Sequence, residues 1–128
     1  MKFFNITNHQ LTAAQKEDLF NNWGITEIVE LPDELKQIWG NVSPKYLPID
    51  ILVKVIAPLR AFIFSQAEKG VVMVMGEFSS VYRLIQELKR DFVIVVATSK
   101  RETIEEIKED GTVVKTAVFS HVQFREVI

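Results

Sequence analysis

VVMVMGEFSSVYR, residues 71–83, is the segment from which the architecture of this chain can be predicted. Its first five residues are apolar, and a continuous run of this kind is typical of a strand buried on both faces of a parallel sheet. Gly76 breaks the run, and Val81 then begins an apolar stripe with helical spacing. A strand, a tight turn and a helix start therefore follow one another directly. In open α/β sheets ligands bind at such junctions, because helix N-termini present N–H groups there.

Three side chains of this junction have more than one interpretation. Ser79 and Ser80 stand where a hydroxyl could bind a ligand, but a serine at a helix start usually caps the helix. Glu77 is unfavourable beside an anion unless it acts as a base, orients a hydroxyl or pairs with an arginine. A partner for the helix dipole is an equally good interpretation of Glu77.

Composition predicts a single globular domain over residues 1–128 and excludes several kinds of site. The chain has no cysteine and only two histidines, so we expect neither a metal site nor a cofactor. A net charge of −2 argues against binding to long nucleic acids. The N-terminus shows no signal-peptide pattern, and the most apolar stretch, residues 48–67, contains charges and Pro58. We therefore predict a cytoplasmic protein that does not span a membrane.

Apolar patterns alternate between strand and helix along most of the chain. Strands are predicted at residues 2–7, 26–31, 71–75 and 92–97, and helices at 12–23, 33–40, 48–67 and from about 80. The first helix has the capping-box spacing Thr12 to Gln15 and is expected to bury Leu19, Phe20 and Trp23. The pattern predicts a Rossmann-like α/β fold, an open and mostly parallel sheet with helices on both faces.

The helix at residues 48–67 is apolar nearly all round, although a surface helix needs only one apolar face. The excess favours a second layer from another subunit, because two-fold homodimers are the commonest oligomers. The alternative is a helix deep in the core of its own domain.

The C-terminal segment changes character after residue 97. Asp110-Gly111 is a strong turn signal and predicts a β-hairpin, with strands at residues 103–108 and 112–119. Further on, His121, Gln123 and Arg125 alternate with Val122 and Phe124, which predicts that the three polar side chains share one face.

Polar residues follow three of the predicted parallel strands, so they should meet at one edge of the sheet. Hydroxyls, amides and cations of this kind suit phosphate oxygens. Individually each has a bland interpretation as a turn, a solvated pair or a cap. The dinucleotide, P-loop and nucleophile-elbow motifs are absent from the sequence. The candidate ligand-binding residues are Asn8, His9, Gly76, Ser79, Ser80, Arg83, Thr98, Ser99, Lys100 and Arg101.

Four segments in matching order resemble a small CRISPR-associated family of type III systems. They are Asn5-x-Thr7-Asn8-His9-x-Leu11-Thr12, Val74-Met75-Gly76-Glu77-Phe78-Ser79, Ala97-Thr98-Ser99-Lys100-Arg101 and Phe119-x-His121-Val122-x-Phe124-Arg125-Glu126. That family is a stand-alone Rossmann-like domain related to the CARF sensors of cyclic oligoadenylate. The resemblance implies a homodimeric, metal-independent ring nuclease that opens cyclic tetra-adenylate and ends the antiviral signal.

The mechanism implied by the resemblance is attack by a ribose 2′-hydroxyl on its neighbouring phosphate. The protein would position the sugar and stabilise charge on the phosphoryl oxygens. By chemistry, the catalytic candidates are Arg101 and Arg125 for charge, with Lys100 in reserve, and His121, or less favourably His9, as acid or base. Glu77 completes the set. A buried histidine satisfied by the backbone is the competing interpretation of His121. Two other functions stay open, a sensor or sponge that binds the ring without cutting it and a small interaction module whose hairpin pairs with a partner.

Overall fold

A computed structural model describes residues 1–127, which fold around a five-stranded sheet. The strands are β1 (Lys2–Ile6), β2 (Glu27–Glu30), β3 (Gly70–Val74), β4 (Phe92–Ile107) and β5 (Val113–Glu126). Their spatial order is β2-β1-β3-β4-β5, and the first four are parallel, while β5 runs antiparallel to β4. The predicted Rossmann-like α/β class with a C-terminal hairpin is confirmed.

Helices cover both faces of the sheet. They are α1 (Ala13–Asn22), α2 (Asp33–Gly40), α3 (Pro48–Asp50), a π-helical segment (Ile51–Ile56), α4 (Ala57–Gln66) and α5 (Phe78–Leu88). Helix α1 packs with one face of the sheet through Leu19, and the others cover the opposite face. The prediction for Phe20 is wrong, since its side chain is half exposed. It stands beside the single buried position of α1 and points away from the sheet.

Helix α3, the π-helical segment and α4 form one continuous helix over residues 48–66. The N–H of Ala57 donates to the carbonyl of Leu52, five residues back, as in a π turn. The wide turn stands directly before Pro58, which has no N–H and whose ring would clash with the carbonyl four residues earlier in an α-helix. Among residues 1–127 there is no helix with the length and apolar character needed to cross a bilayer.

The apolar excess of this helix divides between core and surface. Its buried side chains are Ile51, Val55, Ile56, Leu59 and Ile63, so the alternative of a helix deep in its own core accounts for much of the pattern. Ile49 and Val53, however, are each 60% exposed. Burial within the domain therefore leaves some apolar side chains of this helix exposed to solvent.

Strand β4 does not end at Ala97 as predicted. It pairs with β3 only from Phe92 to Val95, then continues to Ile107 beside β5. Residues 99–121 thus form a two-stranded arm, which projects about 30 Å beyond the sheet at ~3.3 Å per residue. The hydrophobic pattern of the sequence could not reveal this arm, because residues 98–107 are mostly polar and their backbone groups pair with the other strand of the hairpin. The Asp110-Gly111 turn is confirmed, with Gly111 at a φ of 85°.

A β-bulge interrupts the pairing of β5 with β4. Thr98 pairs with Gln123 and Ser99 with His121, so Val122 is the extra residue. One extra residue shifts the alternation of faces by one position. His121 consequently lies on the same face as Phe124 and contacts its ring, with centroids 4.8 Å apart. The prediction that His121, Gln123 and Arg125 share a face is wrong for this reason.

Candidate functional site: the switch-point cleft

The sheet has its topological switch point between β1 and β3. From β1 the chain passes through α1 to β2 on one side, and from β3 it passes through α5 to β4 on the other. Crevices at such points, at the carboxyl ends of the strands, are where open α/β sheets bind ligands. A cleft of about 600 Å³ lies here, on the side of α1. Its size is within the ordinary range for small-molecule sites.

The cleft has an apolar floor and a polar rim. The floor is made by Met73, Met75 and Ala97, one wall by Phe119, and the rim by Thr7, His9, Gln10, Thr12, Gln15 and Ser99. Among these described lining residues there is no lysine, arginine, aspartate or glutamate. The site is therefore suited to a neutral, partly apolar group, and charged parts of a ligand would lie outside it.

Hydrogen bonds fix the loop that carries His9. The side-chain amide of Asn5 donates to the His9 carbonyl at 2.9 Å and to Glu30 Oε2 at 3.1 Å. The Thr7 hydroxyl donates to Asn5 Oδ1 at 2.7 Å, and the His9 N–H donates to Thr7 Oγ1 at 3.1 Å. Asn5 and Thr7 are buried, whereas His9 is exposed. The Asn5-x-Thr7-x-His9 pattern thus orders the backbone from which the His9 imidazole reaches the rim.

The capping box predicted for α1 is confirmed and forms another part of the rim. The Gln15 N–H donates to Thr12 Oγ1 at 3.2 Å, and the Thr12 N–H donates to Gln15 Oε1 at 2.9 Å. Both side chains line the cleft, so the cap that begins α1 also sets the position of two polar groups of the site.

Gly76 has a packing role at the end of β3. A Cβ at this position would lie 2.8 Å from Trp39 Nε1, too close for any side chain. The same indole N–H donates to the Met75 carbonyl at 2.8 Å. Trp39 therefore holds the end of β3, and with it Met75 on the cleft floor, and this contact requires glycine at position 76.

Glu77, and not a serine, is the N-cap of α5, which corrects the capping prediction. Its carboxylate accepts the N–H groups of Ser79 and Ser80, each at 2.9 Å. Both serine hydroxyls also donate to it, that of Ser79 at 2.6 Å and that of Ser80 at 2.9 Å. The Ser79 hydroxyl and N–H, with the bonds from Ser80, lower the pKa of Glu77 to about 2. An acidic side chain thus already fills the helix N-terminus where a phosphate was expected.

The cap gives a testable stability effect. Glu77→Ala should cost about 1 kcal/mol, since the loss of a capping side chain leaves N–H groups without acceptors. A melting temperature lower by about 3–5 °C at pH 7 would correspond to this cost in a chain of this size. Because the folded pKa is depressed, the contribution is present above the ordinary glutamate range and is lost as the pH falls toward 2. The difference between wild type and variant should therefore shrink across that window.

Glu109→Ala is the matched control, because Glu109 is exposed in the hairpin turn. It should melt within a degree or two of the wild type at every pH. A Glu77→Ala variant that matched it would show that the cap contributes nothing.

Strand β4 sends alternate residues of the Thr98–Arg101 segment to opposite faces. Ser99 lines the cleft, and Arg101, on the same face, places its guanidinium carbon 5.9 Å from the centroid of the Phe119 ring. The side chains of Thr98 and Lys100 lie on the opposite face of the strand. The Thr98 hydroxyl donates to the Gln123 carbonyl at 2.8 Å, and Lys100 pairs with Glu102 at 3.6 Å. Arg101 therefore stands at the margin of the cleft, whereas Lys100 faces away.

His121 packs against α1 outside the cleft lining. Its Nε2 lies 2.7 Å from Asp18 Oδ2, and its Nδ1 is buried without a hydrogen-bond partner among residues 1–127. Burial raises the pKa of Asp18, but the hydrogen bonds from Asn22 and His121 outweigh this and lower it overall. The partner of His121 is thus a carboxylate and not the backbone.

The remaining predicted site residues are dispersed. Arg125 pairs with Val96, one position beyond the Phe124–Ala97 pair. Its side chain therefore lies on the opposite face of the sheet from His121.

Two further residues lie away from the cleft. Asn8 packs on Gly40, where a Cβ would lie 2.6 Å from Asn8 Nδ2. Arg83 donates to Glu87 at 2.9 Å and lines a separate, mostly apolar groove of about 420 Å³ between α3 and α5.

Of the predicted ligand-binding set, the structure brings His9 and Ser99 together in one cleft, with Arg101 beside it. Sequence reasoning missed Phe119 and Gln10. Phe119 could have been found from the turn, because Arg101 and Phe119 are equally distant from Asp110 and therefore pair across the hairpin. Within the described part of the chain, no three histidine, aspartate or glutamate side chains are grouped to hold a metal ion.

Comparison with known proteins assigns the chain to a family. The model of the Uncharacterized protein MJ1673 family matches residues 1–125. The chain belongs to this family. A protein described as Uncharacterized protein MJ1673, from Methanocaldococcus jannaschii, is 28% identical over 127 residues, which cover 98% of this chain and 95% of that protein. No solved structure matches significantly. Neither description names a ligand or an activity, so the resemblance to ring nucleases stays a prediction for this MJ1673-family chain.

Proposed function

We propose that this MJ1673-family protein binds cyclic oligoadenylate, with cyclic tetra-adenylate as the preferred ring, and opens it without a metal ion. The observation that carries the proposal is the cleft at the switch point. It combines an uncharged interior for a nucleoside with His9 and Ser99 on its rim and Arg101 at its margin. This is the combination that a nucleotide needs, with a site for the base and sugar beside a cation for the phosphate.

A homodimer is the second part of the proposal, because a cyclic ligand with repeated nucleotides suits two copies of one site. Exposed apolar side chains lie along the carboxyl edge of the sheet. Met75, on its floor, is 46% exposed, and Phe78, at the start of α5, is 81% exposed. Only residues 67–69 separate α4 from β3, so the long helix begins at the same edge of the sheet, with Leu47 and Ile49 both exposed. We call these four residues the apolar rim.

The apolar rim and the arm point to the surface that would pair. The arm rises from the same edge, and nearly all of residues 99–120 are exposed. A two-stranded ribbon alone is only marginally stable in water. Pairing through the carboxyl edge would cover the apolar rim, give each arm a surface to pack on, and place the two clefts opposite each other.

The chemistry we propose uses the substrate's own nucleophile. A ribose 2′-oxygen bonds to the adjacent phosphorus, the bond to the 5′-oxygen breaks, and the products are a 2′,3′-cyclic phosphate and a 5′-hydroxyl. A base takes the 2′-hydroxyl proton, and an acid returns a proton to the leaving oxygen. Charge develops on the phosphoryl oxygens, where a guanidinium can stabilise it.

The geometry favours His9 over His121 for the proton transfers. His9 lies on the rim of the cleft, whereas a ring nitrogen of His121 already bonds to Asp18 of α1. Arg101 takes the charge-stabilising role, because it lies on the cleft face of β4 beside Phe119. Arg125 pairs with Val96 and therefore lies on the opposite face of the sheet from the cleft residues Ala97 and Ser99. Ser99 would hold a ribose or phosphate oxygen through its hydroxyl.

Binding without cleavage is the second candidate. The observation in its favour is the lining of the cleft. Among its described residues His9 is the single side chain suited to act as an acid or a base, whereas cleavage requires one of each. A sensor or sponge needs no more than such a cleft and a cation beside it.

One incubation separates these functions. The purified protein is mixed with cyclic tetra-adenylate in excess EDTA, and the nucleotides are analysed by liquid chromatography and mass spectrometry. Linear products that end in a 2′,3′-cyclic phosphate are expected. Unchanged ring with a raised melting temperature would identify the sponge, and unchanged ring without any shift would refute both. Cleavage that appears only when magnesium or manganese is restored would overturn the metal-independent mechanism.

Arg101 should matter more than its neighbours. Arg101→Ala removes a charge-assisted contact that is typically worth about 1.5–3 kcal/mol, so affinity or rate should fall roughly ten- to hundred-fold. Lys100→Ala is the matched control, because Lys100 is adjacent but faces away from the cleft. Lys89→Ala, at the far end of α5, should also change little. Calorimetric titration and cleavage assays measure the three variants, and equal losses would mean that the ligand binds elsewhere.

A further inference from the structure

The cleft cannot be the phosphate pocket that the strand ends suggested. Its described lining contains no lysine or arginine, and the amides at the start of α5 are occupied by the Glu77 carboxylate. A phosphate placed inside would lose its water without gaining a counter-charge, which is unfavourable. The part of a nucleotide that matches an apolar floor and a polar rim without lysine or arginine is the nucleobase.

Phe119 is the side chain that gives this cleft a flat wall. It belongs to the arm and is 67% exposed, although it also lines the cleft. Its position is fixed by the hairpin register, in which it pairs directly with Arg101. An aromatic ring held on a paired strand and left open on the cleft side has the geometry of a stacking surface.

Arg101 completes this wall on the outer side. Its guanidinium carbon is 5.9 Å from the Phe119 centroid, and the same charge is available to a phosphate at the cleft margin. A base against Phe119 would therefore place its own phosphate next to Arg101. The side chains of His9 and Gln10, on the loop after β1, lie on the rim where they can contact the edges of the base.

We propose that the switch-point cleft is a nucleobase subsite in which one adenine stacks on Phe119 while the attached phosphate stays outside beside Arg101. This inference rests on the proposed function for the identity of the base. The stacking surface itself applies to any adenine nucleotide. Each protomer takes one base, so a tetra-adenylate ring bound between two copies would have two of its four bases in clefts.

The test compares Phe119→Leu, Phe119→Tyr and the control Phe20→Leu, which changes an exposed phenylalanine on α1 outside the cleft. Calorimetry with cyclic tetra-adenylate should show a roughly 5- to 100-fold weaker affinity for Phe119→Leu, the range expected for losing one stacked base. Phe119→Tyr keeps the ring and should bind within a few-fold of the wild type, as should Phe20→Leu.

Saturation-transfer NMR with AMP identifies the part of the ligand in the cleft. The adenine H2 and H8 protons of AMP should receive the strongest saturation with wild type and lose it with Phe119→Leu, whereas ribose 5-phosphate should give no signal. AMP signals that depend on Phe119 without any binding of the cyclic ring would sustain the subsite and refute the proposed function. Ring binding that is the same in Phe119→Leu and wild type, or no AMP signal with the wild type, would overturn the subsite.

Discussion

Ile56→Asp should unfold the protein, whereas Ile49→Asp should leave it folded and dissociate the proposed dimer. Ile56 has no exposed surface, so the new carboxylate would be buried without a partner, at a cost of about 4 kcal/mol or more. That is a large part of the 5–15 kcal/mol by which a typical domain is stable. Ile49 is 60% exposed in the apolar rim, and a polar replacement there should change monomer stability by only about 0.5 kcal/mol.

The two variants form a matched pair, since each replaces an isoleucine of the same continuous helix. Circular dichroism should show loss of structure for Ile56→Asp alone. Sedimentation at micromolar concentration should give a dimer for the wild type and a monomer for Ile49→Asp. A monomeric wild type would refute a site shared between two subunits. A dimeric Ile49→Asp variant would show that the interface does not include the apolar rim.

His9→Ala should lower the rate of ring cleavage by about 100-fold or more, because a positioned acid or base typically contributes 10²- to 10⁴-fold. The affinity for the ring should change only a few-fold, since the apolar floor and Arg101 remain. Single-turnover measurements at saturating enzyme separate the chemical step from binding.

His121→Gln is the natural control, as the sequence contains two histidines. Loss of the imidazole breaks the 2.7 Å contact between His121 and Asp18. The variant should therefore melt at a lower temperature yet cleave at nearly the wild-type rate. A folded His121→Gln protein that has lost cleavage while His9→Ala retains it would reverse the two assignments and restore the preference that the sequence suggested.

The parallel core of this fold was predictable because its residues report their burial directly. The run from Val71 to Val74 is buried at every position, as a strand covered on both faces must be. The Thr12–Gln15 capping box and the Asp110-Gly111 turn were also readable, since each rests on bonds between residues close in sequence. Local chemistry of this kind does not depend on the rest of the chain.

The errors arose where distant parts of the chain decide the structure. The second half of β4 is polar and exposed, and only its pairing with β5 makes it a strand. The bulge at Val122 turns His121 toward Asp18, a residue 103 positions away, and no periodicity could reveal that contact. Both errors changed the predicted site. The continued strand turns Lys100 to the face opposite Ser99 and Arg101, and the bulge places His121 on the opposite face from Arg125.

The position of the candidate site was predictable, but its chemical character was not. Strand-helix alternation predicted a ligand site at the carboxyl ends of the strands, and a cleft lies there. The expected phosphate pocket at Ser79 and Ser80 depended on open amides, which the Glu77 side chain covers by folding back on its own helix. Whether a carboxylate caps or stays free depends on a side-chain rotamer, which the sequence does not specify.

A crystal structure of the protein with cyclic tetra-adenylate, obtained with His9→Ala to prevent cleavage, would show directly where the ring binds. We expect a dimer with one adenine in each switch-point cleft, in contact with Phe119 and the Met73–Met75 floor, and a phosphate beside Arg101. A ring bound elsewhere, for example in the groove between α3 and α5 near Arg83, or bound by one protomer alone, would contradict it.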